Sequence, residues 1–316
     1  MQILQSPAEL ATDLPYPVAT VGNFDGVHRG HARLLESICT SARRVADSTA
    51  VVITFCPHPQ KVLHPESGLR LIATTEQKRR MIAAWGVDLL LELPFDQQRA
   101  ALSPEEFVHQ TLLRGIGVRE VHVGRNFRFG NRRAGDFETL VRLGRQHGFT
   151  AKAVTGVRHS GRRVSSSRVR RALMDGDVVL ARLLLGRDEE LTGVVIKGAG
   201  RGRRLGFPTA NLAVANELLP RSGVYATRLV VDGRPHPSVT NIGRRPTFGE
   251  EETTVETHIL DFQGDLYGKR VAVQFVSRLR DEQRFPDRLA LKQQIETDLA
   301  SGATASCQAT ASVSDE

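Results

Sequence analysis

The sequence is poor in aromatic residues and in cysteine. Aromatic side chains make up 5% of its 316 residues, so the core must be built mainly from Leu, Val, Ile and Ala. Cys39, Cys56 and Cys307 form no CxxC pair, which gives no sign of a zinc site or a disulfide framework. No apolar run approaches the roughly 18 residues that a membrane-spanning helix needs. The segment MQILQSPAEL also lacks the basic and apolar regions of a signal peptide. These absences predict a cytoplasmic protein without a membrane partner.

Runs of like charge are also absent. The net charge is +8, from 43 basic and 35 acidic residues, and such an excess suits an anionic partner. A basic surface without a specific role is the simpler alternative. The pI of 9.9 prompts an RNA-binding hypothesis, but the sequence lacks the basic tail and interleaved aromatic residues typical of that class. Nucleotide phosphates are therefore a better match than nucleic acid.

Two kinds of pattern divide the chain. The first part alternates short apolar segments with helical patterns, which predicts an α/β fold with a mostly parallel, helix-covered sheet. Ligands of such sheets bind beyond the carboxyl ends of the strands. After about residue 186, short strand-like segments separated by turn residues predict a small barrel or sandwich. We expect domains at 1–186 and 187–300, with a last helix at 286–299 and a disordered Ala/Ser/Thr-rich tail at 301–316.

A glycine- and histidine-rich segment, GNFDGVHRGH, occupies residues 22–31. It follows the first predicted strand of the alternating part and opens a predicted helix. Gly22 and Gly30 allow tight turns and a close approach of the backbone to a ligand. Helix N-termini favour anions because of their unpaired N–H groups and positive dipole end. His28 and His31 are three residues apart and share one face of the first turn. The segment predicts a phosphate site, with an exposed glycine-rich turn as the alternative.

Two further segments supply polar and basic groups. VHVGRNFRFGNRRAGD, at 121–136, places Asn126 among arginines after a predicted strand. VSSSRVRRAL, at 164–173, carries three serines followed by Arg168 and Arg170 at a predicted helix start. A helix cap explains one serine, so the whole set indicates phosphate binding. Its members are Ser165, Ser166, Ser167, Arg168 and Arg170.

The GNFDGVHRGH segment resembles the HxGH signature of the nucleotidylyltransferase superfamily. The resemblance implies a Rossmann-like parallel sheet that binds ATP at this turn and releases pyrophosphate. It also implies that His28 and His31 contact the triphosphate, with Asn126 and Arg168 as further catalytic candidates. Gly22, Asn23, Phe24 and Gly30 then line the ATP site, and Asp25 is a weaker candidate.

Two positions depart from the pattern of that superfamily. Ser167 stands where threonine is usual, which keeps the hydroxyl group. In TFCPHP, Cys56 stands where an acid is common. This chain therefore has no acid at position 56 that could carry out the function of that residue.

The β-rich part contains KGAGRGRRLGFPTANL, at 197–212. Its glycines and arginines, including Gly198, Gly200, Arg201 and Gly206, fit a flexible phosphate loop. Their order is not that of a Walker A motif, and a basic turn between strands is the alternative. In GFPTAN, Pro208 fixes the entry of an extended segment on which Thr209 and Asn211 face the same side. A hydroxyl and an amide oxygen are hard ligands that suit Mg²⁺.

A strand-like segment, VETHILDF, follows at 255–262. Its alternation places Glu256 on the face opposite Val255. A carboxylate in that position can accept a proton from an attacking hydroxyl. A solvated strand glutamate is the alternative interpretation.

The β-rich part resembles the riboflavin kinase family along its whole length. The matching pieces are GRRLGFPTAN, GVY, NIGRRPTF, ETHILDF and DLYGKRVAVQF. The resemblance implies a six-stranded flavin-binding β-barrel with a terminal helix. It also implies that Thr209 and Asn211 hold Mg²⁺–ATP and that Glu256 is the base.

The two parts in this order resemble the bacterial bifunctional riboflavin kinase/FAD synthetase family, over roughly residues 15–300. The resemblance implies that riboflavin and ATP give FMN, and that FMN and a second ATP give FAD and pyrophosphate. The alternative is an adenylyltransferase for another acceptor, with a barrel that only binds that acceptor or regulates the enzyme.

Overall fold

The structure, a computed structural model, describes residues 1–198, 207–246, 251–283 and 285–311. Two compact units are present, Met1–Ser165 and Ser166–Glu316. Within those described ranges, no helix combines the length and apolar character needed to cross a membrane.

A parallel sheet of six strands forms the centre of the first unit, in the order β1-β4-β3-β2-β5-β6. All five neighbouring pairs are parallel. This arrangement confirms the sheet that strand–helix alternation predicted. The strands are β1 (Gln2–Leu4), β2 (Pro17–Val21), β3 (Thr49–Cys56), β4 (Leu89–Pro94), β5 (Glu120–Gly124) and β6 (Thr150–Val154), and a small hairpin of β7 (Arg158–His159) and β8 (Arg162–Arg163) follows.

Helices cover both faces of this sheet. One buried apolar cluster joins the sheet to α1 and α3, and a second joins it to the helical segments around α5, α6 and α7. Parallel sheets are buried on both faces for this reason. The helices are α1 (Arg29–Ala42), α2 (Pro59–Leu63), α3 (Thr75–Ala83), α4 (Gln97–Ala101), α5 (Pro104–Phe107), α6 (Arg114–Ile116) and α7 (Phe137–His147), with a π-helical turn at Val108–Leu113.

A buried polar cluster joins α1 to the middle of the sheet. Glu120 on β5 accepts hydrogen bonds from Ser41 of α1 at 2.7 Å and from Lys152 of β6 at 2.6 Å. The ring of His122 lies between Glu120 Oε2, at 2.9 Å, and Ser37 Oγ of α1, at 2.8 Å. Because Glu120 and His122 are two residues apart on one strand, both face the same helix.

The second unit is a closed barrel with the strand order β10-β13-β12-β11-β14-β9, and every neighbouring pair is antiparallel. Its interior includes a fully buried hydroxyl cluster in which Thr227 and Thr257 lie 2.8 Å from Thr240, and Thr227 also lies 2.8 Å from Ser238. The strands are β9 (Glu189–Ile196), β10 (Thr209–Val214), β11 (Gly223–Val231), β12 (Arg234–Pro246), β13 (Glu251–Ile259) and β14 (Arg270–Arg280).

Three helices accompany the barrel: α8 (Ser166–Asp175), α9 (Val178–Leu185) and α10 (Arg288–Ala311). The carbonyl of Leu173 in α8 accepts a hydrogen bond of 2.9 Å from the backbone N–H of Arg221. On α10, Asp298 is 6% exposed and receives a bidentate hydrogen bond from Arg280, at the end of β14. Polar contacts therefore connect both α8 and α10 to the barrel.

The predicted fold class, a parallel α/β sheet followed by a six-stranded barrel and a terminal helix, is confirmed. The expected domains at 1–186 and 187–300 and the expected tail at 301–316 stay predictions. The units divide between Ser165 and Ser166, so α8 and α9 belong to the barrel unit, whereas composition changes only near residue 186. The helix α10 continues to Ala311, into the segment for which composition predicts disorder. Alanine has the highest helix propensity and is frequent in that segment.

Candidate active sites

The first site is built where β2 ends and α1 begins. His28 is the N-cap of α1, and its Nδ1 accepts a hydrogen bond of 3.2 Å from the backbone N–H of His31. Because Nδ1 accepts, the proton of a neutral His28 ring is on Nε2. The rings of His28 and His31 stack at 3.7 Å with an interplanar angle of 9°. Two imidazoles and a helix N-terminus thus meet at one point, which is suited to an anion.

Gly30 permits this ring arrangement. A Cβ atom at Gly30 would lie 3.0 Å from Cε1 of His28 and 3.6 Å from the carbonyl oxygen of Val164. Any larger residue would push the His28 ring away. The same contact places Val164, the residue before Ser165, beside the turn at the start of α1.

Other residues of GNFDGVHRGH bond the turn to the neighbouring strand β3 or pack against its histidines. The N–H of Gly22 donates to the carbonyl of Ile53 at 3.1 Å, and the carbonyl of Asn23 accepts from Thr54 Oγ1 at 3.3 Å. Phe24 is fully buried, and its ring lies 5.0 Å from that of His31. Phe24 therefore packs against the His31 ring.

Asp25 has a structural contact that the motif alone did not reveal. It is 5% exposed, and its Oδ1 accepts from the backbone N–H groups of Ile72, at 3.0 Å, and Ala73, at 3.4 Å. The carboxylate thus fixes the loop that leads into α3. Asp25 directly follows the buried Phe24, and the sequence alone did not indicate this contact.

Asn126 follows β5, the neighbour of β2, and is exposed. A Cβ atom at Gly124 would lie 3.4 Å from Asn126 Oδ1 and 3.7 Å from a guanidinium nitrogen of Arg163. Carboxyl ends of parallel strands meet at one edge of a sheet, so Asn126 and Arg163 lie at the same edge as the histidines. Ser166, Ser167, Arg168 and Arg170 lie in α8, which belongs to the second unit.

Position 56 also lies at this edge. Cys56 is the exposed last residue of β3 and forms no disulfide. On α3, burial lowers the pKa of the Lys78 ammonium, and the charges of Glu92, Cys56 and Asp25 oppose that shift. The environment of Cys56 therefore includes the half-buried Lys78. Nearby, Nε of Arg79 donates a hydrogen bond of 3.0 Å to Oε2 of Glu92.

The second site is a row of side chains on the outer face of the barrel. In the strand register, Glu256 of β13 stands directly opposite Asn211 of β10 on one side and Asn241 of β12 on the other. Val255 and Thr257 are buried in the interior, so the alternation directs Glu256 outward. Thr209 stands opposite His258 on the same outer face. The predicted Thr209, Asn211 and Glu256 are therefore brought together.

Gly198 completes one end of this row. A Cβ atom at Gly198 would lie 2.2 Å from the amide nitrogen of Asn211, so any larger residue there would displace the Asn211 side chain. Pro208 enters β10 with its carbonyl bonded to the ring nitrogen Nδ1 of His258 at 2.8 Å. Gly200, Arg201 and Gly206 lie outside the described residues.

The donor set of this row fits a hard cation. A hydroxyl from Thr209, an amide from Asn211 and the neighbouring Glu256 carboxylate offer oxygen atoms, which Mg²⁺ prefers, and leave room for waters and phosphates. Groups of three or more His, Cys, Asp or Glu side chains that would enclose a metal are absent from the described residues.

Two family models match the chain, one for each unit. A FAD synthetase model matches residues 11–168, and a riboflavin kinase model matches residues 185–305. The bifunctional riboflavin kinase/FMN adenylyltransferase of Pseudomonas fluorescens is 42% identical over 301 residues, which are 95% of this chain and 96% of the relative. The chain belongs to the bifunctional riboflavin kinase/FMN adenylyltransferase family.

Other members of this bifunctional family are also similar to the chain over most of its length. The enzymes of that name from Escherichia coli (strain K12) and Bacillus subtilis (strain 168) are 38% and 36% identical, each with 89% of this chain and 90% of the relative covered. A crystal structure described as a macrolide-efflux protein from Streptococcus pneumoniae has a TM-score of 0.86 at 29% identity, with 94% of this chain and 96% of that chain covered. Its fold matches along almost the entire chain.

His258 lies in the same row, and the sequence-based site did not include it. Its hydrogen bond to the Pro208 carbonyl fixes the start of β10, from which Thr209 projects. The Phe207 ring lies 5.9 Å from the His258 ring in an edge-to-face arrangement. The signal was present, because alternation in ETHIL places His258 on the same face as Glu256.

Proposed function

We propose that the chain performs its two family reactions at these two separate sites. Riboflavin kinase phosphorylates riboflavin with ATP to FMN, and FMN adenylyltransferase converts FMN and ATP to FAD and pyrophosphate. We assign the kinase reaction to the Thr209–Asn211–Glu256 row and the adenylyl transfer to the His28–His31 turn. The strongest support is the strand register that aligns Asn211 with Glu256.

In the kinase reaction, the Glu256 carboxylate accepts the proton of the riboflavin 5′-hydroxyl. The hydroxyl oxygen forms a bond to the γ-phosphorus of ATP while the bond from that phosphorus to the bridging oxygen breaks, and ADP leaves. Thr209 and Asn211 would hold Mg²⁺ together with the triphosphate. A Mg²⁺ ion there supplies neutralisation of phosphate charge.

In the adenylyl transfer, a phosphate oxygen of FMN bonds to the α-phosphorus of ATP, and pyrophosphate leaves. The FMN phosphate is ionised near neutral pH, so the reaction needs no base. His28 and His31 donate hydrogen bonds to phosphate oxygens, and the N-terminus of α1 favours the charge that develops there. Gly22, Asn23, Phe24 and Gly30 shape the turn, and Asn126 adds a polar group from the next strand.

From the motif VSSSRVRRAL at 164–173, we also assign residues to phosphate binding in the adenylyl transfer. Ser165, Ser166 and Ser167 supply hydroxyl groups, and Arg168 and Arg170 supply cations for phosphate oxygens. In the kinase site, Gly198 and Pro208 shape the nucleotide loop, and we assign Gly200, Arg201 and Gly206 to that loop from the sequence alone. The free thiols of Cys39 and Cys56 favour a cytoplasmic location. The partners that we assign are the small-molecule substrates of the two reactions.

Two full-length variants test the assignment. Glu256→Gln should abolish FMN formation from riboflavin and leave FAD formation from added FMN intact. His28→Ala with His31→Ala should do the converse. Flavins are resolved by chromatography after incubation with ATP and Mg²⁺. Equal loss of both activities in either variant would refute the two-site assignment.

A further inference from the structure

Lys78 is a charged residue of the first unit that the proposed chemistry does not use. It lies on α3, and its side chain is half-buried. Within the part of the chain that the structure describes, its ammonium group forms no hydrogen bond and no ion pair. Charges that are removed from water are normally paired or hydrogen-bonded. This ammonium is therefore free to bind an anion from outside the protein.

The loop that leads into α3 packs against the turn of the proposed adenylyl site. Asp25 accepts hydrogen bonds from the N–H groups of Ile72 and Ala73, and a Cβ atom at Gly26 would lie 3.0 Å from the Ile72 side chain. Long side chains on a helix point back toward its N-terminus. The Lys78 side chain is therefore directed toward this loop, and the charge of Asp25 acts on its ammonium group.

The helix α3 also covers the carboxyl ends of β3 and β4. Glu92 of β4 stands opposite Thr54 of β3, and Cys56 follows Thr54 by two residues, so all three side chains share one face of the sheet. Arg79 of α3 donates a hydrogen bond to Glu92, which places the helix on that face. Lys78 therefore lies at the edge of the sheet at which ligands of parallel sheets bind.

The carboxylate of Glu92 does not neutralise Lys78 by direct contact. Glu92 is buried, its Oε2 accepts from Arg79, and its Oε1 has no hydrogen-bond partner among the described residues. Burial lowers the pKa of the Lys78 ammonium, and the charges of Glu92, Cys56 and Asp25 oppose this shift without cancelling it. A further anion beside Lys78 would therefore stabilise its charged form.

We propose that the Lys78 ammonium binds a phosphate oxygen of a substrate in the adenylyl transfer. Both substrates of that reaction, ATP and FMN, carry phosphate, and a lysine ammonium binds phosphate as a point charge with three donors. This inference rests on the proposed adenylyl site. It adds a cation from α3 to the two histidines at the start of α1.

Lys78→Met tests the inference in the full-length protein, because methionine keeps a long side chain and removes the charge. KM for ATP and KM for FMN are measured in FAD formation from added FMN, which reports the adenylyl site alone. The variant should raise one of these KM values roughly 10- to 100-fold, the range of a hydrogen bond that involves a charged group. A rise for ATP assigns the ammonium to the triphosphate, and a rise for FMN assigns it to the FMN phosphate. Unchanged values for both substrates would overturn the inference.

Urea unfolding of the ligand-free protein separates substrate binding from a structural effect. The single tryptophan, Trp85, lies just after α3 and reports unfolding of this unit. If the Lys78 ammonium has no partner, its removal also removes the cost of burying a charge, and the urea midpoint of Lys78→Met should not fall. A lower midpoint would show that Lys78 instead balances the buried Glu92, and it would overturn the inference.

Two variants and one comparison complete the test. Arg80→Met removes an exposed cation from the same helix and should leave both KM values and the urea midpoint unchanged. Lys78→Arg keeps the charge and should restore most of the affinity that Lys78→Met loses. If the His28→Ala, His31→Ala variant still converts added FMN to FAD, the proposed adenylyl site itself is wrong. If that variant is inactive and Lys78→Met has the KM values of the parent protein, only the inference about Lys78 is wrong.

Discussion

At the scale of single residues, two glycines set the positions of functional side chains. Gly30 leaves room for the His28 ring, and Gly198 leaves room for the Asn211 amide. Neither position needs glycine for a left-handed backbone, since their φ angles lie outside that region. The requirement is the close approach of a side chain, which a sequence pattern of glycines does not specify.

Substitution of each glycine by alanine should therefore damage one activity only. Gly30→Ala displaces His28 and should lower FAD formation at least tenfold, with riboflavin phosphorylation unchanged. Gly198→Ala, whose Cβ would lie 2.2 Å from the Asn211 amide nitrogen, should do the reverse. Each variant is the control of the other when both activities are measured on one preparation. A loss of both activities in one variant would indicate a folding defect.

At the scale of elements, the helix that carries the histidines is held by the Glu120 cluster. Burial raises the pKa of Glu120, but hydrogen bonds from Lys152, Ser41 and His122 outweigh it and bring the pKa from the ordinary 4.5 to about 2. For His122, burial lowers the pKa, and the hydrogen bond to Glu120 opposes that shift. The ionised Glu120 accepts from the protonated Nε2 of His122, so Nδ1 accepts from Ser37.

The stabilisation by Glu120 should depend on pH. A carboxylate whose folded pKa is lowered stabilises the native state above its ordinary pKa, and this contribution is lost as pH falls from about 4.5 to 2. Glu120→Gln should lower the free energy of unfolding at pH 7 by about 2 kcal/mol, a value reduced for the half-exposed Lys152. The difference from the parent protein should shrink between pH 5 and pH 2.

Urea unfolding at several pH values measures this effect. Glu36→Gln is the matched control, because Glu36 lies on α1, the helix that the Glu120 cluster contacts, in an exposed pair with Arg33. Exposed pairs contribute little, so this control should show a small difference that hardly varies with pH. A Glu120→Gln difference that stays constant down to pH 2 would contradict the interpretation.

Sequence patterns predicted the elements that have strong periodicity. The apolar segments at 150–154 and 223–231 have strand-like patterns and form β6 and β11. Ser103, Pro104 and Glu106 are typical of a helix start, and they form a capping box at the start of α5. The strand β1 is three residues long and pairs with β4. Three residues are too few for an alternating pattern to predict a strand or its partner. The candidate site was predictable within each motif. The pairing of Asn241 with Glu256 was not, because register joins distant segments.

At the scale of the whole molecule, each unit has its own core, and the proposed kinase residues all belong to the barrel unit. The two reactions use separate nucleotides, so one intact site does not require the other. Full-length Glu256→Gln protein mixed with the His28→Ala, His31→Ala variant should therefore make FAD from riboflavin. Each variant alone should not, because one cannot form FMN and the other cannot adenylylate it.

In the mixture, FMN must leave one protein molecule and bind another. Free FMN should accumulate before FAD, and the rate of FAD formation should rise with the concentration of the Glu256→Gln protein, whose adenylyl site captures the FMN. The parent protein at equal total concentration gives the reference time course, and added FMN shows that this adenylyl site is saturable. If the mixture forms FMN but no FAD, while the Glu256→Gln protein still converts added FMN, then exchange between molecules fails. The two sites would then have to lie in one chain, and their independence in solution would be refuted.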